Sequence, residues 1–188
     1  MRLGEILGLR WMDVDFNNNQ IGINQTLVQT KKELILQPTA KSDNSRRTLD
    51  VPPEVIAVLD KHRRFQRLLR KGREDEPEID RKELVFQTKN KTPIRPRNME
   101  RSFDNQVRKL NRQLQEEKKE PVEEINFHGM RHTFAVIQLQ ENLVPLETVS
   151  EMLGHADIRT TLESYAHVIP KNKKEAAQKM DSLIPKNK

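Results

Sequence analysis

The sequence predicts a mainly α-helical fold with a small antiparallel β-sheet, an α+β class. Before residue 13 and after residue 51, apolar residues recur at the three- and four-residue spacing of helices. Between residues 13 and 51 the period shortens toward two, and the polar turns NNNQ and TKKE separate the apolar runs. The length of 188 residues suits one domain, and the 33% of charged residues indicate a highly charged surface around a small core.

The chain opens on MRLGEILGLRW, whose spacing predicts a helix with Leu3, Ile6, Leu7 and Trp11 on one apolar side. Met1 then lies inside an element, with no capping residue before it. We therefore expect the start of this helix to fray and its apolar residues Leu3 and Leu7 to lie partly uncovered.

The middle of the chain predicts three strands and then a helix. The strands are IGINQTLV, LILQP and RTLDV, and the polar loop TAKSDNSRR lies between the last two. The helix is PPEVIAVLDKHRRFQRLL, and LVFQT after it is short and strand-like. Helical spacing makes the following residues of this helix candidates for the core: Val55, Leu59, Phe65 and Leu69.

A helix predicted over residues 97 to 114 carries a stripe of arginines. At about 100° per residue, Arg97, Arg101, Arg108 and Arg112 fall within roughly 60° of one another. The apolar stripe lies on another side of the helix and consists of Met99, Phe103, Val107, Leu110 and Leu114. Asp104 is the main acid near the arginine stripe, which is therefore poorly neutralised. The pattern favours contact with phosphates, and a merely solubilising face is the alternative.

Three further helices are predicted toward the C-terminus. The first spans about residues 127 to 141, with Met130, Phe134 and Ile137 as its packing face. The second is PLETVSEMLGH, which Gly154 ends in the manner of a C′ glycine. The third begins after Asp157, a predicted N-cap.

Composition limits the classes of function. The net charge of +6 and the pI near 9.6 favour a polyanionic partner over an acidic small molecule, although an evenly spread charge would mean little. The absence of cysteine excludes disulfides, thiolate metal sites and cysteine nucleophiles, and it fits a reducing cytosol. No apolar run of transmembrane length and no secretory signal is present, so we expect a cytoplasmic protein without a membrane partner.

The stretch INFHGMRHTFAVI brings His128, Arg131 and His132 to one side of a helix and allows three interpretations. The first is a zinc site, with His155 as a third ligand, but Gly129 stands where the hydrolytic motif has its glutamate. The second is a packing helix with polar residues at its border. The third is a phosphate site, because an arginine in a first helical turn offers paired donors to an anion, and Tyr165 lies downstream.

Four segments in this order resemble the motifs of tyrosine recombinases, the phage-integrase family. HGMRHTFA resembles their H-x-x-R-H-T-F motif, and MLGHADIRTTLESYAHV resembles the segment that ends on the nucleophilic tyrosine. MRLGEILGLRWMDVDF resembles the motif of the first arginine, and TAKSDNSRRTLDVP resembles the hairpin that carries the family's lysine. The resemblance covers residues 2 to 168.

The resemblance implies a role for each matched residue. Arg2 and Arg131 match the arginines that hold the scissile phosphate, and Glu5 matches an acid that supports the first of them. His132 and His167 match positions without a catalytic role, which we interpret as packing or hydrogen-bonding positions. The full set of implied catalytic residues is Arg2, Lys41, His128, Arg131, His155 and Tyr165. The expected DNA contacts, with the arginine stripe included, are Arg46, Arg47, Arg97, Arg101, Arg108 and Arg112.

The implied activity is site-specific recombination or integration of DNA. Tyr165 would attack a phosphodiester to give a 3′-phosphotyrosine and a free 5′ hydroxyl, and religation would follow without ATP, metal or other cofactor. The implied fold is the recombinase catalytic domain over residues 1–170, and residues 171–188 form a tail that reaches a neighbouring protomer. The implied partner is double-stranded DNA, on which a free monomer assembles into a homotetramer.

The resemblance departs from the family at the start of the chain and leaves rivals. Family members carry more chain before the first arginine, so we interpret the sequence as truncated at its N-terminus and expect Arg2 to be poorly positioned. An inactive or non-catalytic DNA-binding module is the main alternative. A zinc hydrolase and a type IB topoisomerase are the others.

Overall fold

The structure, a computed structural model, describes residues 1–39, 46–70, 79–123, 125–141 and 143–168. Within these residues six α-helices, one 3-10 helix and five β-strands form a mainly α fold with antiparallel strands, so the predicted fold class is confirmed. The helices are α1 Leu3–Leu7, α2 Pro53–Arg70, α3 Pro96–Glu116, α4 Phe127–Gln140, α5 Leu146–Leu153 and α6 Ile158–Tyr165. The strands are β1 Val14–Asp15, β2 Gln20–Ile23, β3 Gln25–Gln29, β4 Leu34–Pro38 and β5 Arg47–Asp50, and a 3-10 helix spans Trp11–Asp13.

The strands form two antiparallel sheets where the sequence predicted one. One sheet has the order β1-β2-β5 and the other pairs β3 with β4. The predicted strand IGINQTLV divides at Asn24, whose side-chain amide donates to Asp13 Oδ1 at 2.8 Å. The Asn24 carbonyl accepts from the backbone N–H of Thr39 at 3.1 Å. These two bonds turn the chain between the sheets. The segment LVFQT forms only isolated bridges, of which one joins Leu84 to Arg10.

One hydrophobic cluster joins the 3-10 helix, the three-stranded sheet and α2. Ile56 and Leu59 are the α2 residues in this cluster. The prediction of core positions is wrong for three residues of α2: Val55, Phe65 and Leu69 are 40%, 56% and 62% exposed. The inward face of α2 includes instead two polar residues, His62 and Gln66, which have hydrogen-bond partners there.

Hydrogen bonding explains which face of α2 is buried. The His62 ring lies 2.8 Å from the Val85 carbonyl, and Gln66 donates to the same oxygen at 2.9 Å. Trp11 Nε1 donates to Gln66 Oε1 at 3.1 Å. Because polar groups with partners can be buried at little cost, these contacts outweigh the hydrophobicity of Phe65.

A second cluster lies between α4, α5 and α6. Its buried members are Ala135, Leu139, Val149, Leu153 and Tyr165. The predicted packing face of α4 is wrong, because Phe134 and Ile137 are 39% and 48% exposed. Arg131, Ala135 and Leu139, spaced four apart, are the buried residues of this helix. An arginine therefore begins the inward stripe, and hydrophobicity alone cannot reveal that.

The predicted helix ends are present. Gly154 follows α5 in the left-handed region at φ 69°, and Asp157 Oδ1 accepts from the Arg159 N–H at 2.8 Å at the start of α6. Asn126 caps α4 by accepting from the Gly129 N–H at 2.7 Å. No helix within the described ranges is long and apolar enough to cross a membrane.

Candidate active site

The centre of the site is Arg131, which points from the first turns of α4 toward the end of α5. Its Nη2 donates to the Leu153 carbonyl at 2.6 Å and to His155 Nε2 at 3.1 Å. Its Nη1 is buried and has no hydrogen-bond partner among the described residues. Burial, and then the charge of Arg2, lower the pKa of Arg131 to about 10, so the group remains charged at neutral pH. A buried cation with an unmatched donor is chemically suited to bind an anion.

Arg2 lies at the start of α1 and is held more firmly than the sequence predicted. Its backbone N–H donates to Glu5 Oε2 at 2.7 Å, which satisfies one of the free amides at the helix start. Its guanidinium donates to Glu5 Oε1 at 3.1 Å and to the Gly154 carbonyl at 3.0 Å. The side chain is still 50% exposed. The expectation that Leu7 lies partly uncovered is wrong, since Leu7 is 0% exposed, whereas Leu3 is partly buried.

Arg47, predicted to contact DNA, lies behind the site rather than on the surface. Its side chain is 8% exposed and that of Glu5 is 4% exposed. Two hydrogen bonds join the pair, at 3.1 Å and 2.9 Å, and Arg47 Nε donates to the Met152 carbonyl at 3.0 Å. Burial alone would raise the pKa of Glu5, but the hydrogen bonds and charges of Arg47 and Arg2 outweigh burial and lower it.

His155 follows the α5 turn and is oriented from both sides. Its Nε2 faces Arg131 Nη2, and its Nδ1 lies 2.7 Å from Thr161 Oγ1. Because a guanidinium can only donate, Nε2 is the acceptor and Nδ1 carries the proton toward Thr161. Burial, and then the charges of Arg131, Arg2 and Arg47, lower the pKa of His155. In this geometry the acceptor nitrogen of His155 is occupied by Arg131 Nη2.

Tyr165 ends α6 within the second cluster and is 5% exposed. Its ring stacks on His132, with ring centroids 4.9 Å apart. This contact agrees with the packing role predicted for His132. Burial raises the pKa of Tyr165, and the charge of Arg131 offsets only part of that rise. The phenol is therefore protonated at neutral pH and needs a proton acceptor before it can act as a nucleophile.

The remaining predicted residues lie outside this cluster. His128 is exposed in the first turn of α4, and Arg46 is exposed beside β5. Lys41 and the tail over 171–188 lie outside the described residues. All arginines of the stripe are exposed on α3, and none has a hydrogen bond or ion pair to a described residue: Arg97, Arg101, Arg108 and Arg112.

The histidines do not form a ligand group. His155 is paired with Arg131 and Thr161, and His132 stacks on Tyr165. Among the described residues, no three His, Asp or Glu side chains lie close enough together to hold a metal ion. The structure therefore gives the zinc interpretation of the HGMRH stretch no support.

The sequence did not predict the contacts that connect Arg2, Arg131 and His155 with the residues behind them. It placed Arg47 with the DNA contacts, gave Thr161 no role, and did not use the Met152 and Leu153 carbonyls. The signal for Arg47 was weak, because adjacent arginines in a polar loop look equally exposed in sequence. The alternation of exposed and partly buried residues along β5 separates Arg46 from Arg47.

The lowered pKa of His155 predicts a pH dependence of stability. The unfolded chain binds a proton near the ordinary value of 6.5, whereas folded His155 binds it only at lower pH. The contribution of His155 to the free energy of unfolding should therefore be fully present above its unfolded pKa of 6.5. It should be lost as the pH falls from there through the lower pKa of folded His155. His155→Gln should flatten the loss of unfolding free energy measured between about pH 7.5 and about pH 5.5. The exposed His167→Gln is the control, and an equal flattening in both variants would contradict the prediction.

Comparisons with known proteins give the family. The sequence profile of the phage integrase family matches residues 1–172. A tyrosine recombinase XerC-like protein of Caldanaerobacter subterraneus subsp. tengcongensis is 34% identical over 98% of this chain and 46% of its own length. The integrase of Staphylococcus phage L54a is 26% identical over 98% of this chain and 49% of its own length. The chain thus spans about half the length of these curated relatives.

Solved structures give the fold. The Tn1549 transposon integrase in complex with transposon right end DNA superposes with a TM-score of 0.70 at 22% identity, over 97% of this chain and 55% of that one. The XerA recombinase superposes with a TM-score of 0.57 at 19% identity, over 99% of this chain and 54% of that one. At these identities the likeness establishes the fold alone. With the profile match over nearly its whole length, the chain belongs to the phage integrase family.

Proposed function

We propose that the chain is the catalytic part of a DNA recombinase or integrase that cuts and rejoins DNA through Tyr165. The observation that carries the proposal is the convergence of Arg2, Arg131, His155 and Tyr165, with the buried Nη1 of Arg131 unmatched among the described residues. Two fixed guanidinium groups can stabilise the charge of a phosphodiester in its transition state. The tyrosine beside them supplies the nucleophile.

In the proposed reaction Tyr165 Oη attacks the scissile phosphorus, and the bond from phosphorus to the 5′ oxygen breaks. The products are a 3′-phosphotyrosine and a 5′ hydroxyl. His128, exposed one turn before Arg131, takes the phenol proton, and Lys41 protonates the leaving oxygen. A 5′ hydroxyl of a second strand then reverses the step, so the energy of the broken bond is retained in the covalent intermediate. We propose that a tetramer on two DNA sites carries out this exchange.

The arginine stripe of α3 is the proposed surface for the DNA backbone. Its four guanidinium groups are exposed and have no partner among the described residues, while Phe103 of the same helix lies on another side and contacts Phe127 of α4. The Tn1549 integrase, which shares the fold, was solved bound to DNA. A surface that leaves cations unpaired on one rigid helix is suited to phosphates.

A covalent-trapping assay tests the proposed function. The substrate is a library of nicked duplexes with randomised arms, because a nick close to the cut lets the short 5′ product diffuse away. Adducts that survive denaturation should form, and they should form in excess EDTA because the proposed charge stabilisation comes from arginines. DNA binding without any adduct would contradict a catalytic role.

One observation favours the alternative of a DNA-binding module without catalysis. The Tyr165 ring is 5% exposed, so little of it is open to a substrate in this structure. The same assay separates the two functions, because a binding module retains library DNA under native conditions and releases all of it on denaturation.

The stripe predicts a specific salt dependence. Each phosphate neutralised on duplex DNA contributes a slope of about −0.9 to the plot of log affinity against log salt. Arg101→Ala with Arg108→Ala should weaken binding and make that slope shallower by up to about two units. The matched control is Lys61→Ala with Arg64→Ala, which removes the same charge from exposed positions of α2. Equal slope changes in the two double variants would contradict the assignment of α3.

A further inference from the structure

The strongest unused feature of the molecule is the buried side chain of Arg47. This side chain is 8% exposed, whereas the neighbouring residue Arg46 is exposed. Three of its N–H groups are engaged, by the two oxygens of Glu5 and by the Met152 carbonyl. A side chain so enclosed cannot reach a DNA phosphate without leaving these partners.

Glu5 is shared between Arg47 and Arg2. Oε1 accepts from Nη1 of both arginines, at 3.1 Å each. Oε2 accepts from the Arg2 backbone N–H at 2.7 Å and from Arg47 Nη2 at 2.9 Å. Arg47 thus takes the paired, two-oxygen geometry, and Arg2 touches the carboxylate through one guanidinium nitrogen only. Arg2 Nη2 donates to the Gly154 carbonyl, and the Arg2 side chain is still 50% exposed, so part of its guanidinium stays open to an anion.

Arg47 also reaches the turn that carries His155. Arg47 Nε binds the Met152 carbonyl, and Arg2 Nη2 binds the Gly154 carbonyl. A Cβ at Gly154 would lie 2.4 Å from Arg47 Nη1, and the φ of this residue is 69°. Glycine therefore fits this position for two reasons, the positive φ and the close approach of Arg47. One side chain therefore joins β5, α1 and the end of α5.

We propose that Arg47 is a positioning residue for the anion site, which it serves by occupying Glu5 and so leaving Arg2 free to bind phosphate. Without Arg47, the buried Glu5 carboxylate has Arg2 as its nearest cation. Arg2 would then take both carboxylate oxygens and turn away from the phosphate. The inference rests on the proposed function for its phosphate, but it concerns an arginine that does not touch DNA.

The first test compares cleavage with binding in Arg47→Ala and Arg47→Lys, on a duplex recovered from the trapped library. At saturating DNA the single-turnover rate should fall about 100-fold in Arg47→Ala, the scale expected when one preorganised charge contact is lost. Arg47→Lys keeps the charge and loses the paired geometry, so a partial defect is expected. The salt slope of DNA binding should become shallower by at most about one unit in both, because Arg2 is the one phosphate contact that they weaken. Arg46→Ala is the matched neighbour and should weaken binding, and its effect on the cleavage rate should be the same with and without Arg2→Ala.

A double-mutant cycle separates positioning from general damage to the fold. If Arg47 acts through Arg2, then Arg47→Lys should slow cleavage far less in an Arg2→Ala background than in the wild type. Independent damage would give additive effects, which would overturn the inference. A wild-type rate at saturating DNA would also overturn it, as would a coupling of Arg47→Lys to Arg2→Ala no larger than that of Arg46→Ala.

A readout without cleavage keeps the inference distinct from the proposed function. Inorganic phosphate should raise the melting temperature of the wild-type chain, and this rise should be reduced in Arg2→Ala and Arg47→Lys alike. If the wild type forms no adduct but this pattern holds, then the proposed function fails and the positioning role stands. If Arg47→Lys keeps the wild-type response to phosphate, then the positioning role fails whatever the adducts show.

Discussion

Tyr165→Phe should abolish covalent DNA adducts and leave DNA affinity unchanged. The substitution removes only the hydroxyl that the proposed reaction uses as its nucleophile. The ring should keep its stack on His132 and its place in the second cluster. Since no hydrogen bond joins the hydroxyl to any described residue, the free energy of unfolding should change by less than about 1 kcal/mol.

The control for this prediction is His132→Phe, which keeps an aromatic ring against Tyr165. Adduct formation should survive in that variant, because the proposed roles give His132 no part in proton transfer. Adducts that persist in Tyr165→Phe at the wild-type yield would contradict the assignment of the nucleophile. Loss of DNA binding in the same variant would show that Tyr165 holds the fold or the DNA instead.

The second large effect is on stability. Glu5→Gln should lower the free energy of unfolding by about 3 kcal/mol or more, because it leaves the buried guanidinium of Arg47 without its counter-charge. The two side chains are 4% and 8% exposed, so water can replace the lost partner only poorly. Urea denaturation at neutral pH measures the change.

The exposed pair of Asp60 and Arg64 supplies the matched control. Their side chains are 39% and 75% exposed. Asp60→Asn should therefore change the free energy of unfolding by no more than about 1 kcal/mol. If Glu5→Gln and Asp60→Asn lower the free energy of unfolding by similar amounts, the ion pair of Glu5 and Arg47 is no more important for stability than an exposed one.

Much of the fold follows from local patterns in the sequence. The apolar periods locate the helices, and single residues with a clear physical role mark their ends. Gly154 ends α5 because it adopts a positive φ, and Asp157 starts α6 because its carboxylate accepts a backbone N–H. The strands LILQP and RTLDV were also located, since turn residues bound both.

The errors share one physical cause, which is burial of polar side chains with specific partners. His62 and Gln66 of α2 face inward because both hydrogen-bond to the Val85 carbonyl, and Phe65 therefore lies on the exposed side. Arg131 is the first buried residue of α4 because the Leu153 carbonyl and His155 accept its hydrogen bonds. Partners that are distant in sequence cannot be read from periodicity, so these faces were assigned to the wrong residues.

The candidate site was predicted residue by residue from the motifs, but its connections were not. The motifs locate Arg2, Arg131, His155 and Tyr165, and the structure brings these four together. Glu5 was expected to support Arg2, and the hydrogen bonds between them agree. The contacts of Arg47 do not follow from the motifs, because only the fold brings β5 against the end of α5.

The most direct test of the account is the chemistry of attachment in the trapped adduct. Protease digestion and mass spectrometry should place the DNA on the peptide that contains Tyr165, the only tyrosine of the chain. The link should run through a 3′ phosphate, and the released strand should accept a label from a 5′ kinase without prior phosphatase treatment. Attachment at another residue, or through a 5′ phosphate, would contradict the proposed mechanism.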